Sequence, residues 1–161
     1  MKTEEKLAEL LREHNLNMCS AESCTGGRIA NIITSMAGSS EYFKGSVVAY
    51  CNTVKHNVLG VLSEDLEKYG AMSKPVVEQM ATGACRVLDC ECAVATSGIA
   101  GPGGGSAEKP VGTVWIAAAF KSKVVSECFH FEHDRAGNIE ASANTALRML
   151  CELVAQEIEG E

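Results

Sequence analysis

Residues 18–36 read MCSAESCTGGRIANIITSM, and they place three kinds of local structure in direct succession. The chain through Met18 and Ser20 is extended, two glycines follow at positions 26 and 27, and GRIANIITSM then has the character of a helix. Strands that lead through a tight turn into a helix are typical of α/β domains. This stretch therefore predicts an α/β fold and marks the turn as a place to look for chemistry.

The sequence on either side continues the alternation of helices and strands. Further helices are predicted over about residues 3–14 and 143–158, and two more from Ser63-Glu64-Asp65 and Ser73-Lys74-Pro75, where each serine is expected to cap its helix. The second of these is expected to turn Val87 and Leu88 inward. Strands are predicted over residues 44–51, 92–97, 111–120 and 124–132.

The last two predicted strands flank Lys121-Ser122-Lys123, a hairpin signal that adds antiparallel pairing to an otherwise parallel arrangement. Helices between strands then have to cover both faces of the sheet. We therefore expect a three-layer α/β/α sandwich with a mixed β-sheet. No repeat, linker or second domain is evident, so residues 1–161 are expected to form a single domain.

Composition narrows the class of protein. The 161 residues include 14 basic and 21 acidic side chains, a formal charge of −7, with 46% hydrophobic residues. This balance is ordinary for a globular protein, and it argues against duplex nucleic acid or an anionic membrane as the main partner. The N-terminal MKTEEKLAELLREH has no apolar signal region, and the apolar run at residues 111–120 is too short to span a bilayer. We expect a cytoplasmic protein.

The cysteines and histidines do not form a metal-binding pattern. Eight cysteines occur without any CxxC pair, and the group at positions 85, 90 and 92 has poor zinc spacing, so reduced thiols are expected. His130 and His133 resemble a metal pair, but on a strand their side chains would point to opposite faces. We expect no metal at these residues.

The first candidate site is AESCTGG at residues 21–27. A strand-to-helix turn leaves backbone N–H groups without partners, and a hydroxyl such as that of Ser23 held beside them has the arrangement that acyl transfer needs. The structural alternative is that Ser23 or Thr25 only caps the helix.

A serine nucleophile needs a base, and no histidine is singled out for that role. Lys55 is a candidate, because burial can keep a lysine neutral.

The second candidate site is the glycine-rich segment SGIAGPGGG, residues 97–105, beyond another predicted strand. Loops at the carboxyl ends of strands bind ligands in α/β sheets, and glycines let backbone amides approach a phosphate closely. The segment matches neither the dinucleotide-binding motif nor the P-loop. A mobile surface loop without a ligand is the alternative.

Three long motifs carry a resemblance to a known family. AESCTGG, then VVAYCNTVKHNVLGV, then ATSGIAGPGGG followed by EKPVGTVWIA together resemble the CinA C-terminal domain family over nearly the whole chain. The resemblance implies a serine/lysine amidohydrolase that converts nicotinamide mononucleotide to nicotinate mononucleotide and ammonia. A small nucleotide would then be the partner, and we also expect a homo-oligomer.

The resemblance also implies roles for particular residues. The nucleophile falls on Ser23, the lysine on Lys55 and a supporting tyrosine on Tyr50, whose hydroxyl would orient the amine. The oxyanion is expected on amides at Thr25, Gly26 and Gly27, and the substrate on Ser97, Gly101, Gly103, Gly104, Gly105 and Arg135. The stretch before Arg135 reads His133-Asp134 where the family has Gly-Asp, and Ile139 and Glu140 replace a second basic residue.

Two other functions stay open at this point. One is a nucleotide-binding module without turnover, linked to competence or the DNA-damage response; the other is an amidohydrolase of a different pyridine-type or cyclic amide. Cys24 is a further candidate for redox chemistry, because the start of a helix lowers the pKa of a thiol.

Overall fold

The computed structural model describes residues 1–160 and contains five strands and six α-helices. The elements in chain order are α1 (Thr3–Glu13), β1 (Met18–Glu22), α2 (Arg28–Thr34), β2 (Phe43–Val48), α3 (Asn52–Asn57), α4 (Ser63–Tyr69), α5 (Lys74–Leu88), β3 (Cys92–Gly98), β4 (Thr113–Phe120), β5 (Lys123–His130) and α6 (Arg135–Glu159). A single 3-10 turn, Ser39–Glu41, precedes β2.

The strands form one mixed sheet in the order β2-β1-β3-β4-β5. β2, β1 and β3 run parallel, whereas β4 and β5 pair antiparallel. Glu22 at the end of β1 lies opposite Val48 on one side and Thr96 on the other. The carboxyl ends of the three parallel strands therefore meet at one edge of the sheet, where α/β proteins bind their ligands.

Helices cover both faces of this sheet, which confirms the three-layer α/β/α architecture. Side chains alternate along β3, so Val94 packs with α1, α2 and α6 while Ala93 and Ala95 pack with α5. The face toward α5 is rich in alanine, and α5 itself comes close to the chain after α3. A Cβ added at Gly83 of α5 would lie 2.0 Å from the Leu59 carbonyl oxygen, so this contact requires glycine.

Several local predictions were wrong. β2 ends at Val48 rather than at residue 51, and the next residues lead into the unpredicted helix α3. Neither predicted serine caps its helix through the side chain: the Ser63 hydroxyl contacts His56 Nδ1, and the Ser73 hydroxyl donates to the Gly70 carbonyl. Both hydroxyls find partners outside the first turn of the helix that follows.

Other corrections concern the ends of elements. Val87 is 44% exposed, because it lies on the solvent side of α5 near the C-terminus of the helix. β5 ends at His130, so His133 lies in the connection to α6 and the expected opposite-face arrangement on a strand does not apply.

All eight cysteines are free thiols. Within residues 1–160, no helix has both the length and the apolar character needed to cross a membrane.

Candidate active site

Ser23 is the first residue after β1 and stands at the edge where the parallel strands end. Its backbone N–H donates to the Thr96 carbonyl on β3 at 3.1 Å, so the neighbouring strand fixes its position. Five residues later the chain enters α2, and Gly26 and Gly27 take positive φ angles of 56° and 103° to make that turn. The sequence-predicted nucleophile therefore lies on a tight strand-to-helix turn.

The Lys55 amine reaches the same point from α3. Its Nζ atom lies 3.1 Å from Ser23 Oγ and donates to the Ala49 carbonyl oxygen at 2.9 Å. The residue is only 2% exposed, and no carboxylate within residues 1–160 pairs with it. Desolvation by this burial lowers the pKa of Lys55, and the nearby Cys51 and Cys24 oppose the effect. A lysine amine with a lowered pKa next to a serine hydroxyl is equipped to accept a proton.

Glu22 is the part of the site that sequence reasoning missed. Its carboxylate is fully buried, no cation among residues 1–160 pairs with it, and both oxygens accept hydrogen bonds. The six donors are the Ser20, Thr25 and Ser46 hydroxyls and the backbone N–H groups of Gly27, Ile29 and Ala30. The available signal was an acidic residue at the end of an otherwise uncharged strand, directly before the glycine turn.

The backbone amides of the turn differ from those expected for the oxyanion. The Gly26 N–H donates to the Ser23 carbonyl at 3.0 Å, and the Gly27 N–H donates to Glu22 at 3.1 Å. Both expected donors are therefore already used within the turn, which corrects the prediction for these two glycines. Among residues 1–160, the amides of Cys24 and Thr25 have no protein acceptor. Thr25 remains from the predicted set and Cys24 joins it.

A cavity of about 290 Å³ opens beside Ser23. This volume is close to the lower end of the range for small-molecule sites, about 300–1,000 Å³. Arg135 supplies the only charged side chain of the lining, so the cavity is suited to an anion. The lining residues are Ser23, Cys24, Tyr50, Gly98, Ile99, Ala100, Gly101, Gly103, Gly104 and Arg135.

Arg135 joins two walls of this cavity. Its Nη1 donates to the Gly101 carbonyl at 2.8 Å and its Nη2 donates to the Tyr50 hydroxyl at 3.1 Å. A guanidinium has five N–H groups, so three stay available for a ligand. Within residues 1–160 the Tyr50 hydroxyl has no hydrogen bond to the Lys55 amine, so a role in orienting the amine stays a prediction. The Tyr50 ring is 63% exposed and its hydroxyl contacts Arg135, whereas Ala49 orients the amine.

The glycine-rich loop is tied to α6 rather than free. Asn138 is buried, donates through Nδ2 to the Ala100 carbonyl at 2.9 Å, and accepts the His133 N–H at 3.1 Å. Together with the Arg135 contact to Gly101, this bond joins the loop to the start of α6. The interpretation as a mobile surface loop is therefore not supported by the contacts of this segment.

Two predicted substrate-binding residues lie away from the cavity lining. Ser97 is buried within β3 opposite Trp115, and Gly105 packs against residues 110 and 111, where an added Cβ would lie 2.8 Å from the Val111 nitrogen. Gly105 is thus required by chain packing. Gly101, Gly103 and Gly104 do line the cavity, as a binding role requires.

The altered positions after Arg135 also have a structural explanation. Glu140 pairs with Arg28 through two hydrogen bonds of 2.7 and 3.1 Å, and it is absent from the cavity lining. The hydrogen bond from Arg28 lowers the pKa of Glu140. The acidic replacement therefore links α6 to α2 and leaves Arg135 as the cation at the cavity. Ile139, the other replacement, is likewise absent from the lining.

Cys24 does not have the expected electrostatics. Although it lies next to Ser23 and lines the cavity, it is only 8% exposed, and burial raises its pKa to about 11. The prediction of a thiol activated by the start of a helix is therefore wrong, because desolvation outweighs that effect. Within residues 1–160, no cluster of three or more His, Cys, Asp or Glu side chains is arranged to hold a metal ion.

The fold and this edge of the sheet define a class: three-layer α/β domains with a serine and a buried lysine at the carboxyl ends of parallel strands, beside a small cavity with one arginine. The family model of the CinA C-terminal domain matches residues 1–154, and the chain belongs to that family.

Curated relatives fall into two kinds. A "CinA-like protein" of Cytophaga hutchinsonii is 45% identical over 144 residues, which are 89% of this chain but 34% of that protein, so the chain spans about a third of such relatives. The "Nicotinamide-nucleotide amidohydrolase PncC" of Escherichia coli strain K12 is 44% identical over 137 residues, 83% of each chain.

Solved structures agree with this membership. A CinA superfamily protein from Klebsiella pneumoniae superposes with a TM-score of 0.91 at 31% identity, covering 97% of this chain and 99% of the other. A competence/damage inducible protein from Agrobacterium tumefaciens superposes with a TM-score of 0.89 at 40% identity, covering 94% of each.

Proposed function

We propose that this chain is a nicotinamide-nucleotide amidase, which hydrolyses the carboxamide of nicotinamide mononucleotide to nicotinate mononucleotide and ammonia. The observation that carries the proposal is the 3.1 Å contact between the Lys55 amine and the Ser23 hydroxyl. The similarity to the amidohydrolase of Escherichia coli over 83% of both chains supports the choice of substrate.

The first half of the reaction forms an acyl-enzyme. Neutral Lys55 takes the proton of the Ser23 hydroxyl while Oγ attacks the carboxamide carbon, and the carbonyl oxygen becomes an oxyanion. The amides of Cys24 and Thr25, which have no acceptor among residues 1–160, receive that charge. The proton on Lys55 then passes to the amide nitrogen as the C–N bond breaks, so ammonia leaves and the nicotinoyl group stays on Ser23.

The second half releases the acid. Lys55, neutral again, removes a proton from a water molecule that attacks the acyl carbon. The same amides hold the second oxyanion, and the proton returns to Ser23 as its C–O bond breaks. No step requires a metal or an organic cofactor.

Arg135 and the glycine loop supply the recognition of the nucleotide. Three N–H groups of Arg135 are not used by Gly101 or Tyr50, and a guanidinium binds a phosphate through paired donors. The lining glycines 101, 103 and 104 allow a phosphate to approach the backbone. The single cation in the cavity thus selects the mononucleotide over uncharged amides.

The direct test is ammonia release from purified protein supplied with nicotinamide mononucleotide. We expect turnover that a chelator leaves unchanged, that Ser23→Ala abolishes, and that the control Ser35→Ala, on the exposed end of α2, retains. Binding of the mononucleotide without ammonia release would overturn the proposal in favour of a non-catalytic nucleotide-binding module. Turnover of a different cyclic amide but not of the mononucleotide would overturn the choice of substrate.

A further inference from the structure

We propose that Glu22 is a positioning residue: its buried carboxylate holds the turn that presents Ser23, without touching the substrate. This inference rests on the proposed function in one respect, that Ser23 is the nucleophile. Glu22 is fully buried, and it is absent from the cavity lining. Its effect on chemistry would therefore pass through the turn.

The carboxylate joins the ends of the parallel strands to the first turn of α2. One oxygen, Oε2, accepts from Ser20 on β1 at 3.1 Å, from Ser46 on β2 at 3.0 Å and from the Ala30 N–H at 3.0 Å. The other, Oε1, accepts from the Thr25 hydroxyl at 2.8 Å and from the N–H groups of Gly27 and Ile29 at 3.1 and 2.9 Å.

These contacts account for every backbone N–H at the start of α2. The four N–H groups from Gly27 to Ala30 precede the first intrahelical bond and need acceptors. Glu22 accepts three of them, and the Arg28 N–H donates to the Thr25 carbonyl at 2.9 Å. The helix end therefore has no N–H left for substrate, and its role is to anchor the turn.

Thr25 transmits the position of Glu22 to the neighbouring strand. Its hydroxyl donates to Glu22 and accepts from the Thr96 hydroxyl at 2.8 Å. The Thr96 carbonyl in turn accepts the Ser23 N–H at 3.1 Å. Glu22, Thr25 and Thr96 thus form one connected set of hydrogen bonds with the turn, and none of the three lines the cavity.

The arrangement requires a carboxylate rather than any polar group. All six partners donate, so both side-chain oxygens have to accept. Glutamine has the same shape but only one acceptor oxygen, and its NH₂ group would face three donors. Glu22→Gln should therefore shift the turn, and a displacement of the nucleophile by about 1 Å costs about 10²-fold in rate.

The test measures the reactivity of Ser23 itself, with a fluorophosphonate probe that labels activated serines, followed by mass spectrometry. We expect labelling to fall by about 10²-fold in Glu22→Gln and to fall strongly in Thr25→Val, which keeps the backbone amide. The matched control is Thr82→Val on the exposed face of α5, where the hydroxyl donates only to carbonyls of its own helix, and this variant should label like the wild type. Thermal unfolding establishes that each variant is folded.

Amidase kinetics separate positioning from a general structural effect. In Thr25→Val we expect a lower kcat with unchanged KM and an unchanged midpoint of the pH profile, because Arg135 and Lys55 keep their surroundings. If Glu22→Gln does not fold, Thr25→Val decides alone. Wild-type labelling in folded Thr25→Val, or an equal loss in Thr82→Val, would overturn the inference, as would a wild-type Ser23 that the probe does not label. Labelling that follows the expected pattern without ammonia release would retain the inference and remove the proposed substrate.

Discussion

The Lys55 amine lies 3.1 Å from the Ser23 hydroxyl although 32 positions separate the two residues in the chain. Its second partner is the Ala49 carbonyl, and in the described part of the chain, residues 1–160, no carboxylate neutralises it. A buried amine without a counter-ion favours its neutral form, which has a lone pair to accept a proton. Burial of the amine is costly, so the pair is better explained by reactivity than by stability.

The activity should depend on the protonation of Lys55. Because burial lowers the pKa of the amine, kcat/KM should rise with pH as Lys55 loses its proton, with a midpoint below the ordinary lysine value of about 10.4. Lys55→Arg keeps the charge but cannot act as a base at these pH values, and it should retain almost no turnover. The measurement is the pH profile of ammonia release for the wild type, Lys55→Arg and the control His56→Ala. Loss of the acid limb in His56→Ala alone would identify histidine as the base.

The same burial should reduce stability. The folded chain releases the Lys55 proton more readily than the unfolded chain does, so between the lowered pKa and about 10.4 the unfolded chain binds more protons. Stability should increase with pH across that window. Lys55→Met should remove this dependence and raise the free energy of unfolding at pH 7 by about 0.5–2 kcal/mol, at the expense of activity. Urea unfolding at pH 7 and pH 10 measures both effects, and a destabilised Lys55→Met would contradict the argument.

Arg135 should act on substrate binding through its charge. Arg135→Ala should raise KM and cost about 1.5–3 kcal/mol in kcat/KM for the mononucleotide, because a charged hydrogen bond to the phosphate is lost. The riboside lacks the phosphate and should be a poor substrate of the wild type, with little further loss in the variant. Steady-state kinetics with both compounds provide the check. Equal activity of the wild type on free nicotinamide would contradict phosphate binding.

Substitution of Tyr50 should affect KM, as substitution of Arg135 does, rather than the pH profile, which depends on Lys55. Its hydroxyl contacts Arg135 Nη2 at 3.1 Å, so Tyr50→Phe should raise KM for the mononucleotide modestly and leave the midpoint of the pH profile in place. The wild-type pH profile and its KM are the references for this comparison. A displaced midpoint with unchanged KM would instead support the role first expected from the family resemblance, orientation of the amine.

Asn138 should hold the glycine loop in its binding shape. Asn138→Asp places a carboxylate oxygen against the Ala100 carbonyl in place of a donor, so the loop should separate from α6. We expect a raised KM and faster hydrogen exchange over residues 99–105. Gln156→Glu, at an exposed position of the same helix, is the control and should match the wild type. Unchanged exchange in a folded Asn138→Asp would refute this role.

Sequence patterns predicted the regular elements well and the irregular ones poorly. The strands around residues 18–22, 92–98 and 113–120 are apolar and bounded by turn residues, so local pattern and tertiary packing agree. α3 has only six residues, and its location depends on where β2 leaves the sheet, which no periodicity records. The serine at position 63 failed as a cap because His56 from the preceding helix takes its hydroxyl.

The chemistry of the site divides in the same way. The residue types at Ser23, Lys55 and Arg135, and the glycines that permit the turn and the loop, are properties of the chain, and the family motifs pair them before any fold is known. The burial, pKa and hydrogen-bond partners of these residues are not properties of the sequence alone. The burial that lowers the pKa of Lys55, the use of the Gly26 and Gly27 amides inside the turn, and the contact of Tyr50 with Arg135 arise only when separate segments meet. Solvation and hydrogen-bond partners depend on neighbours in space, so distance along the chain does not encode them.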